Sequence, residues 1–272
     1  MNSKIIFTDI DGTLTDFNGN LPDSAVKALL QAKENGHKIV LCTGRSKFQI
    51  PQKLLSLQFN GIVGAAGGFV EYGGRELYHK YIEEKYRKLL ADYMDEKNIV
   101  FNFQAPDCLV TNGRNKDELR KFFEKRKMEK SWIDQIFVKL RVLDPVWEYK
   151  YSEKALYYEA PVTVAEVNAD LAPYFTVVKT SLDNPEEYSG EVGIAGVTKA
   201  TGMQLLFDAL GAKKEDSIAV GDGPNDIEML EYAGIGIAMG NAQPEVKAVA
   251  DQITGSVNED GIYTAFMRNG LI

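Results

Sequence analysis

Apolar residues in this chain gather in short uninterrupted runs separated by stretches of helical spacing. Residues 5–7 are an apolar run too short for a helix, and 37–42, 61–64, 217–220 and 236–240 read as further strands. Between the first two runs, residues 21–35 read as a helix. Asp23 or Ser24 can cap it, Val26, Leu29 and Leu30 form its apolar stripe, and Gly36 ends it. A strand, a helix and a strand in that order imply a right-handed crossover and a parallel pair. A further helix is expected over 47–57, and 69–78 reads as a hairpin around Gly73-Gly74.

From about residue 82 the pattern changes, with lysine, glutamate and tyrosine becoming dense. Helices are expected over 84–96, 116–127 and 162–171, and strands over 99–103, 107–111, 154–159 and 174–179. These segments have apolar faces of their own, enough for a small α/β domain. Trp147, Tyr149, Tyr151, Tyr157 and Tyr158 form an aromatic cluster there, read as core before ligand platform. The first texture returns after Glu191. A helix opens at 196–199 and ends at Gly211, the strand at 217–220 follows, then a helix at 227–232. The run at 236–240 is the last core strand expected, and short helices at 244–250 and 260–268 close the chain.

Composition narrows the function. With 272 residues, 44% hydrophobic and 26% charged, the chain can build a sizeable core without metal or disulfide. A net charge of −8 argues against a nucleic-acid partner. No apolar run approaches a membrane span. A strand beginning at Lys4 leaves no room for a signal peptide, and two cysteines without ligand spacing, Cys42 and Cys108, fit a reduced, cytoplasmic protein. His37 and His79 lack partner patterns and read as ordinary surface residues.

The polar residues at the strand ends carry the chemistry. The first strand runs into Asp9 and Asp11, and two acids at the end of a buried strand are costly unless a cation or a reaction uses them. Ligands of open α/β sheets bind at such carboxyl ends. A solvated Asp-Ile-Asp-Gly turn is the plain alternative, and a calcium loop lacks its later acidic positions. Thr43 and Gly44 follow the second strand, with Arg45 able to reach substrate, a cap or a surface acid. Lys199 sits in a helix's first turn, against the dipole. Asp222, Asn225 and Asp226 follow the strand at 217–220.

In order and wording these clusters are D-I-D-G-T-L at 9–14, T-G-R at 43–45, G-V-T-K at 196–199 and G-D-G-P-N-D-I-E-M-L at 221–230. They resemble the four motifs of the haloacid dehalogenase superfamily of phosphatases, and their wording is similar to its Cof-type branch. The resemblance implies an α/β fold with a Rossmann-like parallel-sheet core, residues 1–81 and 191–272, and an inserted α/β cap domain, 82–190. It implies a phosphatase acting on a small-molecule phosphate ester, a sugar phosphate or a phosphorylated cofactor. Asp9 would be the nucleophile, forming an aspartyl-phosphate, and Asp11 the general acid and base. Mg2+ would be held by the Asp9 and Asp222 carboxylates and the Asp11 carbonyl, with Asp226 fixing its waters. Thr43, Gly44, Lys199 and Asn225 would bind the phosphoryl oxygens. The branch's usual Asn-Gly after the third strand is replaced here by Gly64-Ala65-Ala66-Gly67-Gly68, so a relative's substrate preference does not transfer. A sugar phosphomutase or an idle phosphate-binding module are the competing readings, and oligomeric state is not legible.

Overall fold

The computed structural model describes residues 3–126, 130–180 and 187–272. The chain forms two compact units. The first takes Met1–Arg45, Gln49–His79 and Val197–Ile272, and the second takes Ser46–Phe48 and Lys80–Gly196.

The first unit opens with β1 (Ile5–Thr8), α1 (Asp23–Glu34) and β2 (Lys38–Cys42). The helix expected over 47–57 does not form as one piece. A 3-10 turn, Lys47–Gln49, precedes a single helical turn, α2 (Gln52–Leu55). Pro51 separates them, since proline lacks an N–H and keeps the residue before it extended. Strands β3 (Gly61–Gly64), β4 (Phe69–Tyr72) and β5 (Arg75–His79) follow, the last two antiparallel neighbours.

The second unit runs through α3 (Glu84–Glu96), β6 (Val100–Gln104), β7 (Leu109–Thr111), α4 (Gly113–Lys125), α5 (Lys130–Val138) and β8 (Leu140–Val142). It continues with β9 (Lys154–Tyr158), α6 (Val164–Leu171), β10 (Phe175–Lys179) and β11 (Gly190–Ile194). Helix α4 starts earlier than expected because the Asn112 side chain caps it, accepting from the Asn115 N–H. The expected end at Lys127 lies outside the described residues. The core was expected to resume at 191, but β11 pairs antiparallel with both β9 and β10, so the second unit extends to Gly196. Two glycines within five residues hid that strand.

The first unit resumes with α7 (Lys199–Leu210), β12 (Ser217–Gly221), α8 (Ile227–Tyr232), β13 (Ile235–Ala238), α9 (Pro244–Val249), β14 (Gln252–Ile253) and α10 (Gly261–Arg268). Strand β13 is not the last in the sheet. Its parallel neighbour β14 is two residues long, too short to leave a pattern.

The first unit's sheet has the order β14-β13-β12-β1-β2-β3-β4-β5, with β1 parallel to both β12 and β2. Alternation sorts its side chains into two cores. Ile6, Ile39, Leu41, Ile218, Val220 and Ile237 pack with α1 and α10. Ile5, Phe7, Val40, Cys42, Ala219 and Ala238 pack with α7, α8 and α9. On α1 the buried stripe is Ala25, Ala28, Leu29 and Ala32, while Leu30 is 47% exposed. Of the expected stripe, Leu29 is buried and Val26 partly so, and the small alanines beside them let the helix lie close to the sheet, so that Leu30 alone is turned outward. Both histidines are covered rather than at the surface: the His37 ring accepts from the Lys4 N–H at 3.1 Å, and His79 stacks edge-on against Phe69.

The second unit's sheet has the order β10-β11-β9-β6-β7-β8. One face, with Phe101, Phe103, Ala155 and Tyr157, packs on α3 and α6; the other, with Leu156 and Tyr158, packs on α4 and Ile133 of α5. The aromatic residues expected as one cluster are therefore divided. Tyr157 and Tyr158 point to opposite faces, and Tyr149 meets Tyr151 edge-on at 6.0 Å. No helix among the described residues is long and apolar enough to cross a membrane.

Candidate active site

Strands β1 and β12 are parallel neighbours, so the residues that follow them emerge side by side. The Asp9 N–H donates to the Val220 carbonyl at 3.0 Å, which carries the pairing one residue past β1. Asp9, Asp222 and Asp226 are all buried, and each offers a carboxylate oxygen within 4.8 Å of the others.

Lys199 joins this group from α7. It is 1% exposed, and its ammonium donates to Asp9 Oδ1 at 2.7 Å and to Asp226 Oδ1 at 2.5 Å. A lysine at a helix N-terminus opposes the dipole, so these two carboxylates are what hold it there. Thr198 caps α7 in a reciprocal box with Thr201 and thereby fixes where the helix starts. The 64–68 loop also sets that position. Gly67 has φ +102°, and a Cβ on it would stand 1.9 Å from the Thr198 carbonyl oxygen. The glycine run that replaces the expected Asn-Gly pair is thus where the loop touches the start of α7.

Asp226 uses both oxygens within the protein. Oδ1 takes the Lys199 bond, and Oδ2 accepts from the N–H groups of Asp222 and Gly223, each at 3.0 Å. Asp222 is held differently. Thr13 Oγ1 donates to its Oδ1 at 2.9 Å, and Asn241 Nδ2 donates to its Oδ2 at 3.3 Å. Gly12, with φ +80°, lies directly beneath: a Cβ there would stand 2.1 Å from Asp222 Oδ2. Asn241 also donates to the Gly12 carbonyl at 2.8 Å and accepts from the Val257 N–H at 3.0 Å. Thr13 and Asn241 were not singled out from the sequence. The signal for Asn241 is its place two residues after Met239, just past β13, at the same carboxyl end as the other clusters.

Asp11 does not join the buried carboxylates. Its side chain is 34% exposed and is gripped by Arg45, with Nε donating to Oδ2 at 2.8 Å and Nη2 to Oδ1 at 2.6 Å. The third guanidinium nitrogen donates to the Gln49 carbonyl at 2.7 Å. Arg45 thus reaches a candidate site acid, Asp11. Thr43 is buried at the end of β2, where its hydroxyl accepts from the Arg45 N–H at 3.2 Å, and Gly44 lies between them. Asn225 is exposed in the turn Pro224–Asp226, with its amide oxygen folded over Gly223.

Three buried carboxylates face one ammonium, and the titration shifts follow. Burial pushes Asp9 well above the usual carboxylate range, against the pull of Lys199. Burial, with Asp226 adding to it, raises Asp222 to about 7. Burial works to lower Lys199, but Asp226 and Asp9 outweigh it and its proton is held more tightly than usual. A buried group of excess negative charge made only of oxygen donors suits a small hard cation. Asp9, Asp222 and Asp226 together are the carboxylates close enough to share one.

Comparison with known proteins gives the family. Residues 6–266 match the family of haloacid dehalogenase-like hydrolases. The chain belongs to that family. YkrA of Bacillus subtilis is 30% identical over the full length of both chains. The phosphoglycolate phosphatase of Methanothermobacter thermautotrophicus is 28% identical, covering 97% of this chain and 98% of that one. Among solved structures, the subclass IIB sugar phosphatase BT4131 of the same superfamily aligns with a TM-score of 0.79 at 26% identity, covering 99% of this chain and all of that one. This member of the family is a Cof-type phosphatase, a phosphoric monoester hydrolase, as the D-I-D-G-T-L, T-G-R and G-D-G-P-N-D motifs led one to expect.

Proposed function

We propose that the chain is a Mg2+-dependent phosphatase of small phosphorylated metabolites that works through an aspartyl-phosphate on Asp9. The observation that carries this reading is the buried cluster at the ends of β1 and β12: Asp9 in contact with the Lys199 ammonium, with Asp222 and Asp226 alongside. An acid buried in that company is oriented and close to a fixed positive charge, as a nucleophile for a dianionic ester needs to be.

In the first half of the reaction a carboxylate oxygen of Asp9 attacks phosphorus. The bond from phosphorus to the leaving oxygen breaks, and Asp11 gives that oxygen its proton. In the second half a water attacks the phosphorus of the acyl phosphate. Asp11 takes the water's proton, the bond to Asp9 breaks, and phosphate leaves. Lys199 offsets charge on the phosphoryl oxygens, with the Thr43 hydroxyl, the Gly44 N–H and the Asn225 amide as further donors. The Asp9 and Asp222 carboxylates and the Asp11 carbonyl would hold the Mg2+, which when bound draws negative charge off the phosphate, while Asp226 anchors Lys199 and the 222–223 backbone behind it.

We read the inserted second unit as the cap that selects the leaving group, and sugar phosphates or phosphorylated cofactors as the substrate class, in line with the sugar phosphatase among its structural neighbours. Two free, buried cysteines agree with a reducing cytoplasmic setting. The test is Asp9→Asn. Turnover of an aryl phosphate should fall by at least about a thousandfold, and acid-quenched wild type should carry radiolabelled phosphate that the variant lacks. Label retained on Asp9→Asn, or unchanged turnover, sinks the proposal.

A further inference from the structure

Asn241 spends its whole side-chain amide on three separate loops, and the two ends of the amide do different work. Its oxygen accepts from the Val257 N–H at 3.0 Å. Its nitrogen donates to the Gly12 carbonyl at 2.8 Å and to Asp222 Oδ2 at 3.3 Å. The assignment of the two ends follows from the chemistry. Turned over, the amide would set an oxygen against two other oxygens and a donor against a donor. The carboxylate of Asp222 therefore has one oxygen held by the Thr13 hydroxyl and the other by Asn241. Donors arriving from different loops fix the plane of that carboxylate, and the Gly12 backbone closes off the space beside it.

We propose that Asn241 is a positioning residue that sets the orientation of Asp222 for cation binding. The inference rests on reading Asp222 as a cation ligand. Two substitutions divide these contacts in different ways. Asn241→Asp keeps the oxygen that accepts from Val257 but replaces the donor facing Gly12 and Asp222 with a second acceptor. Asn241→Ala removes both. The expected result is that turnover of Asn241→Asp falls about 10- to 100-fold, as loss of a partner to a metal ligand does, and that its cation-free melting temperature also drops, because an acceptor then faces the Gly12 carbonyl and Asp222. For Asn241→Ala, the Mg2+ concentration giving half of the full melting-temperature increase, measured without substrate, should rise by about the same factor. Asp222→Asn serves as the reference for the underlying reading. If Asp222→Asn keeps the Mg2+-induced shift, the assignment of Asp222 itself is wrong. If Asp222→Asn loses the shift but both Asn241 variants match wild type in turnover and Mg2+ response, the positioning role alone is overturned. A lower cation-free melting temperature for Asn241→Ala, together with wild-type turnover for Asn241→Asp, likewise overturns it, because Asn241 would then serve only the Val257 loop.

Discussion

At the scale of single residues, the proposed acid/base group and the proposed nucleophile live in opposite surroundings. Asp9 is buried against Lys199, and Asp11 is part-exposed in the fork of Arg45. Two parallel N–H···O bonds from a guanidinium fix the plane of the Asp11 carboxylate. In the reaction as proposed, Arg45 holds that carboxylate where it can give a proton to the leaving oxygen and take one from water. Lysine at 45 would keep the charge and lose the fork. Arg45→Lys should therefore lower turnover of an alkyl phosphate by roughly tenfold or more, the lower end of what one general acid contributes. It should affect p-nitrophenyl phosphate much less, since that leaving group departs without a proton. Equal losses on the two substrates would detach Arg45 from the proton transfer. The pairing could not be read from T-G-R, because an arginine's reach is long and its partner is 34 positions away in the chain.

At the scale of elements, the site depends on where helices start. Lys199 is useful only because α7 begins at Thr198, and that start is pressed against Gly67. Gly67→Ala would require either the 64–68 loop or the first turn of α7 to move, and would strain a backbone at φ +102°. The expected outcome is a stability loss of about 1–3 kcal/mol from overpacking, with turnover falling as Lys199 is displaced. Gly73→Ala is the matched control. It also has positive φ, +58°, but nothing lies near its added Cβ, so it should cost only about 1–2 kcal/mol and leave turnover unchanged. Comparing melting temperature and turnover for the two separates backbone strain from displacement of the helix. Helix spacing was legible wherever the stripe was bulky, as on α3, whose bounds are those expected. It misplaced Leu30 on α1, where alanines make much of the contact, and failed over 47–57, where Pro51 divides the segment.

At the scale of the whole molecule, folding concentrates negative charge that the unfolded chain disperses. Asp222 rises from 3.8 to about 7 on burial. Above pH 3.8 the unfolded chain releases this proton while the cation-free folded state keeps it. Stability contributed by the retained proton is full below 3.8 and is lost as pH climbs to about 7. Cation-free protein should therefore melt at progressively lower temperature between about pH 4 and pH 7, and Asp222→Asn should flatten that slope. Binding of a cation displaces the same protons, so the Mg2+-induced increase in melting temperature should be larger at pH 8 than at pH 5.5. A Mg2+ response independent of pH would mean that these carboxylates are not the ones that bind.

The chain alone determined which chemistry is present: acids directly after two buried strands, a lysine opening a helix and a threonine closing a third strand. These signals are local, because a buried strand that ends in a carboxylate is expensive wherever it sits, and the expense is visible in a few consecutive residues. Tertiary structure decided which groups meet. Lys199 reaches Asp9 across 190 positions, and Thr13 reaches Asp222 across 209. The setting aside of Asp11 in the Arg45 fork and the place of Asn241 beside Asp222 were likewise settled only there. The order of strands in a sheet and the closeness of two backbones depend on the packing of every layer at once, and no local run of residues carries that information.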